Sequence, residues 1–317
     1  MSDSPLITVV IATYNRADLL AYTLRSVQYQ DEPNFEVWVV GDGCTDGTEA
    51  VVAGLQDERF HWYNLPQNHL APHAALNEGL RRARGTYIAY LDHDDLWFPG
   101  HLSGLLATIR QTGADLVYGM SAMLPNAHSD TAEMRDTTRV YGEQLRLDPP
   151  SYALPSAWLH HRRLYEEGIR WLSPFAVYQN ADQNFLKRVV RAGYTVAFSR
   201  QLTTLIFNSI VWKMFDRTEF PQQAYWERLQ QNPDALYASL LLDVAQTNSR
   251  TYFAREALPT LRRAVKDVAK SIVFGVAYWY GRERFPVSVA GRIRFLHRRK
   301  GYNRKRGLTA LLAKKAG

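Results

Sequence analysis

Four short clusters in this chain have residue types and spacings suited to handling phosphates, sugars or metal ions. The first is Ala12-Thr13-Tyr14-Asn15-Arg16, which follows a β-branched apolar run. A strand that ends in polar residues and leads into a helix offers unpaired N–H groups and a favourable dipole to a phosphate. Arg16 adds positive charge. The plainer alternative is that Asn15 caps the helix. The second cluster is Val40-Gly41-Asp42-Gly43-Cys44-Thr45-Asp46-Gly47-Thr48. Its glycines permit close backbone approach, and a carboxylate at Asp42 can accept hydrogen bonds from a base or ribose. Asp46, with Glu49 three residues later, fits a helix cap better.

The third cluster carries the most charge: Asp92, Asp94 and Asp95 place three carboxylates in four positions after an apolar run. Like charges this close repel unless a cation or water separates them. Alternating Asp92 and Asp94 can share one divalent ion through hard oxygen ligands. Mg2+ or Mn2+ held by one or two carboxylates plus a pyrophosphate fits that chemistry. The alternative is an acidic turn whose Asp95 caps the following helix. In the fourth cluster, Asn180 to Arg188, Asp182 opens a helix, and on physical grounds alone it reads as a cap.

These clusters need a frame. The apolar, β-branched run Leu6 to Ala12 predicts a buried strand, and residues 17–29 carry Leu20, Leu24 and Val27 at helical spacing. Further strands are expected at Phe35 to Val40, Phe60 to Leu65, Thr86 to Leu91 and Asp115 to Gly119. Helices are expected at 46–56, 73–84 and from Pro99 to about Gly113. Such alternation predicts an α/β fold with a mainly parallel sheet, whose ligands bind beyond the carboxyl ends of the strands. Residues 121–180 read as loops and short elements shaping an acceptor pocket. A helix at 182–192 and a strand at Tyr194 to Phe198 follow, and the pattern beyond about 215 is mostly helical. Trp158, Trp171 and Trp212 could be sugar-stacking platforms, though core is the commoner fate of Trp. His69, His73, His93, His160 and His161 match no zinc spacing and read as singly placed polar residues.

The 317 residues carry a formal charge of +7, unevenly spread. Residues 282–317 hold twelve Lys or Arg and one acid, while the remainder is slightly acidic. Basic residues there, such as Arg292, Arg294, Arg298, Arg299 and Lys300, flank Ile293, Phe295 and Leu296. That pattern fits an amphipathic contact with an anionic membrane surface or, equally, a solvated tail. The apolar stretch Ser271 to Tyr280 is too short to span a bilayer. Cys44 is the only cysteine, which rules out an internal disulfide and a thiolate cluster. The N-terminus has no basic region ahead of its apolar run, so no secretory signal is expected and a cytoplasmic location is, peripheral on the inner face of the membrane if the tail binds it. No G-x-G-x-x-G follows the first strand, which disfavours a dinucleotide oxidoreductase. The first loop lacks the glycine-rich character of a nucleotidyltransferase. Nucleic acid is disfavoured as a partner because the body is acidic and carries no recognisable motif for it.

In order and spacing, VVIATYNRADLL, VVGDGCTDGT, LNEGLRRARGTYIAYLDHDDLW and NADQNFLKR resemble family 2 of the inverting glycosyltransferases, which have the GT-A fold. The resemblance covers about residues 5–215. It implies a catalytic domain over 1–215, with a nucleotide-binding half to about 120 and an acceptor half beyond it. Residues 216–317 are then a helical C-terminal region ending in the basic tail. It implies that Thr13, Tyr14 and Arg16 hold the base and diphosphate of a nucleotide-sugar donor, and that Asp42 contacts base or ribose. Asn77 joins the donor site. Asp92 would sit near ribose and metal, Asp94 would ligate a divalent metal, and Asp182 would be the catalytic base. The acceptor would be a saccharide or glycolipid hydroxyl, with UDP-sugars the favoured donors. The chain departs from the family pattern at Gly41, Leu70, Leu76 and Ala181, where an acid, a glycine, an arginine and a glutamate are usual. The alternative within the same fold is a non-catalytic nucleotide-sugar or polymer-binding protein.

Overall fold

The computed structural model describes residues 5–124, 138–141, 153–174, 176–177, 180–207 and 220–256. The basic tail, Ser271 to Tyr280 and Trp212 lie outside the described residues. Residues up to Val244 form one compact unit, and within it the alternation read from the sequence is realised. Strand β1 (Ile7–Thr13) is buried throughout and leads into helix α1 (Ala17–Gln28). Then come β2 (Phe35–Gly41), α2 (Thr48–Ala53), β3 (Phe60–Asn64), α3 (His73–Arg82) and β4 (Tyr87–Tyr90).

Strands β1 to β4 pair in parallel, in the order β3-β2-β1-β4. The chain steps outward from β1 through β2 to β3, then returns to the other side of β1 as β4. That reversal opens a crevice at the carboxyl ends of β1 and β4. Alternate residues of β1 face opposite layers. Ile7, Val9 and Ile11 pack with Leu20 and Leu24 of α1, while Val10 and Ala12 pack with Leu76 and Leu80 of α3.

The second half departs from the expected parallel arrangement. It adds β5 (Leu96–Trp97), α4 (His101–Thr112), β6 (Leu116–Met123), β7 (Arg139–Tyr141) and β8 (Trp158–His161). A short 3-10 turn, Pro155–Ala157, precedes β8. After α5 (Arg163–Glu166) and α6 (Ala181–Arg191) comes the long strand β9 (Val196–Ile206). Strand β8 inserts between β4 and β6 and is antiparallel to both, so the sheet is mixed. Four residues, Trp-Leu-His-His, are too few for a periodic signal, which is why this stretch reads as loop in the sequence. Helices α7 (Pro221–Gln231) and α8 (Pro233–Glu256) follow. Trp226, Leu229, Leu236 and Leu240 from these helices bury against Leu19, Leu96 and Phe98.

Candidate active site

The loop after β1 turns through Asn15, which has a left-handed backbone at φ 49. Its side chain does not cap α1, as the simpler sequence reading had it; Arg16 is the N-cap residue. Instead Asn15 Oδ1 accepts from the Thr45 N–H at 2.8 Å, tying the first loop to the second. Asp46 completes that tie. One of its oxygens accepts from the Ala17 N–H at 3.1 Å and the other from the Thr48 N–H at 3.1 Å. Asp46 is therefore structural: it spans the starts of α1 and α2, and these hydrogen bonds hold its carboxyl below the usual range against the effect of burial. Tyr14 is left exposed, while Thr13 and Arg16 are buried, with Arg16 4.0 Å from Asp18.

Asp42, at the end of β2, is buried, and its N–H donates to the Thr13 carbonyl at 2.8 Å. Its carboxylate takes the His69 N–H at 3.0 Å on each oxygen and the His69 ring Nδ1 at 2.9 Å. His69 lies in the segment where the family pattern has Asn-x-Gly. Leu70 occupies the glycine position and still adopts the left-handed conformation, φ 62, with its N–H on the Asn68 side-chain oxygen at 2.6 Å. The turn persists at the steric cost of a side chain in a region glycine enters freely. Gly41 has a different explanation. A Cβ there would meet the Trp62 ring at 2.7 Å and Cys44 Sγ at 3.0 Å, alongside the Asn64 side-chain oxygen. Asn64 fills the room the usual acid would need and clamps Cys44, accepting its N–H and donating to its carbonyl, both at 2.8 Å. Leu76, at the usual arginine position, is buried in the core.

The acidic turn after β4 is held from far away. The Asp92 N–H donates to Ser156 Oγ at 3.0 Å, and that hydroxyl donates to Asp95 Oδ2 at 2.7 Å. The Phe207 N–H donates to Asp95 Oδ1 at 3.1 Å. The His93 carbonyl accepts from Thr23 at 2.8 Å and the Asp94 carbonyl from Gln222 at 3.0 Å. Asp95 is therefore the internal brace of the turn, with both oxygens committed. Burial, followed by the Asp94 and Asp92 charges, pushes its carboxyl well above the ordinary range. It does not cap α4, whose N-cap residue is Gly100. Sequence reasoning missed Ser156, Gln222 and Thr23, because each reaches the turn across a long separation and none sits in a recognisable pattern.

Asp92, which is exposed, and Asp94, which is buried, are the other two carboxylates of this turn. Among the described residues no group of three or more His, Cys, Asp or Glu side chains is placed to hold a metal. Two carboxylates make a partial site of the kind a hard divalent ion completes with phosphate oxygens and water. The donor set fits Mg2+ or Mn2+ on those terms.

Asn77 and Asp182 lie on α3 and α6, which pack in the core layer on the other side of β1 from α1. The Asn77 side chain donates to the Trp171 carbonyl at 2.8 Å and accepts its N–H at 2.9 Å, fastening α3 to the approach to α6. Asp182 is in the first turn of α6, one turn before Phe185. The N-cap residue there is Asn180, so Asp182 is not the cap that its position in the sequence suggests. Trp158 and Trp171 are buried and stacked at 6.0 Å, and Trp171 stacks on Phe185 at 4.6 Å. They are core beneath α6, not exposed platforms. Tyr90, two residues before Asp92, meets Phe185 edge-on at 6.3 Å, so one aromatic contact links the strand of the acidic turn to the helix of Asp182.

Solved structures with this architecture include a Staphylococcus aureus TarS fragment, residues 1–349, at TM-score 0.52 and 19% identity over 66% of this chain and 62% of that one. Among curated relatives, a Bacillus subtilis glycosyltransferase named for teichuronic acid biosynthesis is 40% identical over 95 residues, 29% of this chain and 37% of that protein. A Campylobacter jejuni GalNAc(5)-diNAcBac-PP-undecaprenol beta-1,3-glucosyltransferase is 37% identical over 105 residues, 32% of this chain and 34% of that protein. The succinoglycan biosynthesis protein ExoO of Rhizobium meliloti is 37% identical over 112 residues, 35% of this chain and 32% of that protein. The matched segment thus spans about a third of the length of these curated relatives. The sequence profile of "Glycosyl transferase family 2" matches residues 8–167, which contain both acidic turns and the loop after β1. With the GT-A architecture and that match together, this chain belongs to glycosyltransferase family 2.

Proposed function

We propose that this chain transfers a sugar from a nucleoside diphosphate sugar, a UDP-sugar by preference, to an acceptor hydroxyl with inversion at the anomeric carbon, in the synthesis of a cell-surface polysaccharide or glycolipid. The observation that carries the proposal is the pair Asp92 and Asp94, beside the brace Asp95, at the crevice where the parallel strands β1 to β4 reverse their order. Relatives named for polysaccharide or glycolipid synthesis support the biological setting. A TarS structure in complex with UDP-GlcNAc shares the fold and supports the donor class.

In this reading Thr13, Tyr14, Arg16 and Asp42 hold the nucleotide, and Asn77 shapes the donor site through its hold on Trp171. Asp92 and Asp94 hold a divalent metal, which when bound supplies positive charge to the diphosphate leaving group. Asp182 accepts the proton of the acceptor hydroxyl as that oxygen attacks the anomeric carbon. Fixing donor and acceptor in line removes part of the barrier by positioning. The catalytic domain is 1–215, followed by a helical region whose basic tail contacts an anionic membrane surface on the cytoplasmic side. No helix among the described residues is long and apolar enough to cross a membrane.

The test is transfer and donor hydrolysis across UDP-, GDP-, dTDP- and CMP-sugars with Mg2+, Mn2+ or EDTA, on the wild type and Asp182→Asn. A single preferred donor with metal dependence is expected. Asp182→Asn should lower turnover by about 10²-fold or more while donor binding is retained. Near-wild-type turnover in that variant would remove Asp182 as the base.

A further inference from the structure

Strand β1 runs past the end of its neighbour β4. It continues to Thr13, whereas β4 ends at Tyr90 and gives way to the acidic turn. The rungs between the two strands are regular. The Tyr87 N–H donates to the Leu6 carbonyl at 3.0 Å, and the Leu91 N–H to the Val10 carbonyl at 3.2 Å. Parallel pairing uses every second residue, so in this register the next rung would run from the residue 93 N–H to the Ala12 carbonyl. A side chain takes that place. His93 Nδ1 lies 3.2 Å from the Ala12 carbonyl oxygen, and because a carbonyl only accepts, Nδ1 is the donor. The other ring nitrogen, Nε2, is buried and has no hydrogen-bond partner among the described residues.

Residue 93 is tied to the first half of the sheet twice. Its ring reaches β1, and its carbonyl accepts from the Thr23 hydroxyl of α1 at 2.8 Å. The bonds described above for its neighbours run the other way: Asp92 and Asp95 to Ser156, Asp95 to Phe207, and Asp94 to Gln222. Ala12 and Thr13 are the last residues of β1, and on the β2 side the Thr13 carbonyl receives the Asp42 N–H at 2.8 Å. His93 thus joins the turn bearing Asp92 and Asp94 to the strand end from which the loop Tyr14 to Arg16 starts.

Resting on the metal reading above, we propose that His93 is a positioning residue. Its Nδ1–H stands in for the missing rung and fixes the flanking acids, Asp92 and Asp94, at a set distance from the end of β1, so that a cation and the nucleotide diphosphate meet in register. The demand on position 93 is for a short side chain with an N–H at the place of Nδ1. Asparagine meets it, because its amide nitrogen stands as many bonds from the backbone as Nδ1 does. Leucine has nearly the shape of asparagine without the donor, and phenylalanine keeps a flat ring without it.

The experiment is calorimetric titration of UDP into the full chain, once with EDTA and once with saturating Mn2+, for wild type, His93→Leu, His93→Phe and His93→Asn. The quantity read is the factor by which Mn2+ tightens UDP binding, which is the coupling between metal and nucleotide. Affinity in EDTA should agree within about twofold across all four proteins, because no bond of the nucleotide loop itself is removed. His93→Leu and His93→Phe should each cut the Mn2+ factor by about tenfold, the scale of one hydrogen bond. His93→Asn should bring it back to within about threefold of wild type. A histidine that serves only the stability of the fold would lower the melting temperature of all three variants and leave the factor alone. A wild-type factor in His93→Leu, or in His93→Phe should His93→Leu not fold, would overturn the proposal and leave the metal reading intact. A factor in His93→Asn no better than in His93→Leu would do the same. A wild type whose UDP binding ignores Mn2+ would overturn both.

Discussion

The two acidic turns of this chain, after β2 and after β4, stand on neighbouring parts of one sheet but are built in opposite ways. Asp42 is held by His69, 27 residues along the chain, and the first and second loops are joined through Asn15 and Thr45, 30 apart. The turn after β4 is held by Ser156, Phe207 and Gln222, at separations of 61, 112 and 128 residues. One turn is the product of a local βαβ unit. The other is a junction at which β8, β9 and α7 all meet. Asp95, which the sequence offers as a helix cap, is the carboxylate consumed in making the junction. In a family 2 glycosyltransferase this divides the proposed labour: the local turn presents the residues proposed to hold the nucleotide, and the junction presents the acids proposed to carry the metal.

That division can be broken most sharply at the acids themselves. Asp94→Asn should lower kcat/KM by about 10³-fold, in line with removing a charge that stabilises a leaving group. Asp42→Asn should act mainly on donor affinity, by about tenfold, because it disturbs the setting of His69. Steady-state kinetics with separate donor titration would show the split. An equal loss of kcat from both variants would erase the distinction between the turns.

Acid should weaken the fold through two buried histidines. His160 is fully buried, taking the Tyr90 hydroxyl at 2.9 Å on Nε2 and donating from Nδ1 to the His161 carbonyl at 2.8 Å. Burial pulls its pKa down to about 4, and that of His101, stacked on Trp97 at 4.2 Å, down to about 3. Both depressed values mean that the unfolded chain binds more protons than the folded one below about pH 6.5. The stability these groups confer is complete above that value and is lost as pH falls toward the folded values. Two such groups give a slope of about 2–3 kcal/mol per pH unit at most between about pH 6 and 4. Denaturant midpoints at stepped pH would measure it, and His160→Gln should make the slope shallower.

Smaller effects follow from the hinge points of each turn. Ser156→Ala leaves the Asp92 N–H and one Asp95 oxygen without their partner in a buried site, which should cost about 2–3 kcal/mol. Chemical denaturation would report that loss, and turnover should fall with it because Asp92 and Asp94 shift. Gly41→Ala tests the local turn. Its new methyl group must displace Asn64 and Trp62, an overpacking worth about 1–3 kcal/mol. A neutral result would show that Asn64 swings aside freely and does not hold the place of the missing acid.

How much of this was legible in the sequence follows the same line. The βαβ series could be read because each strand and helix carries its own period, and Ile7, Val9 and Ile11 alternate with Val10 as a strand between two helical layers must. The clusters at Asp42 and Asp92 to Asp95 could be found because they end apolar runs. Sequence set Asp95 apart only as a helix cap and could not show what it braces, because its partners are a serine and a backbone N–H more than sixty residues away. Strand β8 was hidden by its brevity. The handedness of Leu70 was hidden because the conformation belongs to the turn and not to the residue.

The long reach of the junction also sets an order of assembly. Contacts that close large loops form late, since their entropy must be overcome before they are rewarded. During synthesis the first hundred residues can pair β1 to β4 before Phe207 and Gln222 exist. The turn that bears Asp42 can therefore mature early, while the turn that bears Asp92 and Asp94 takes its final shape only when the later strand and helix arrive. In a truncated chain the first turn would then be complete and the second not.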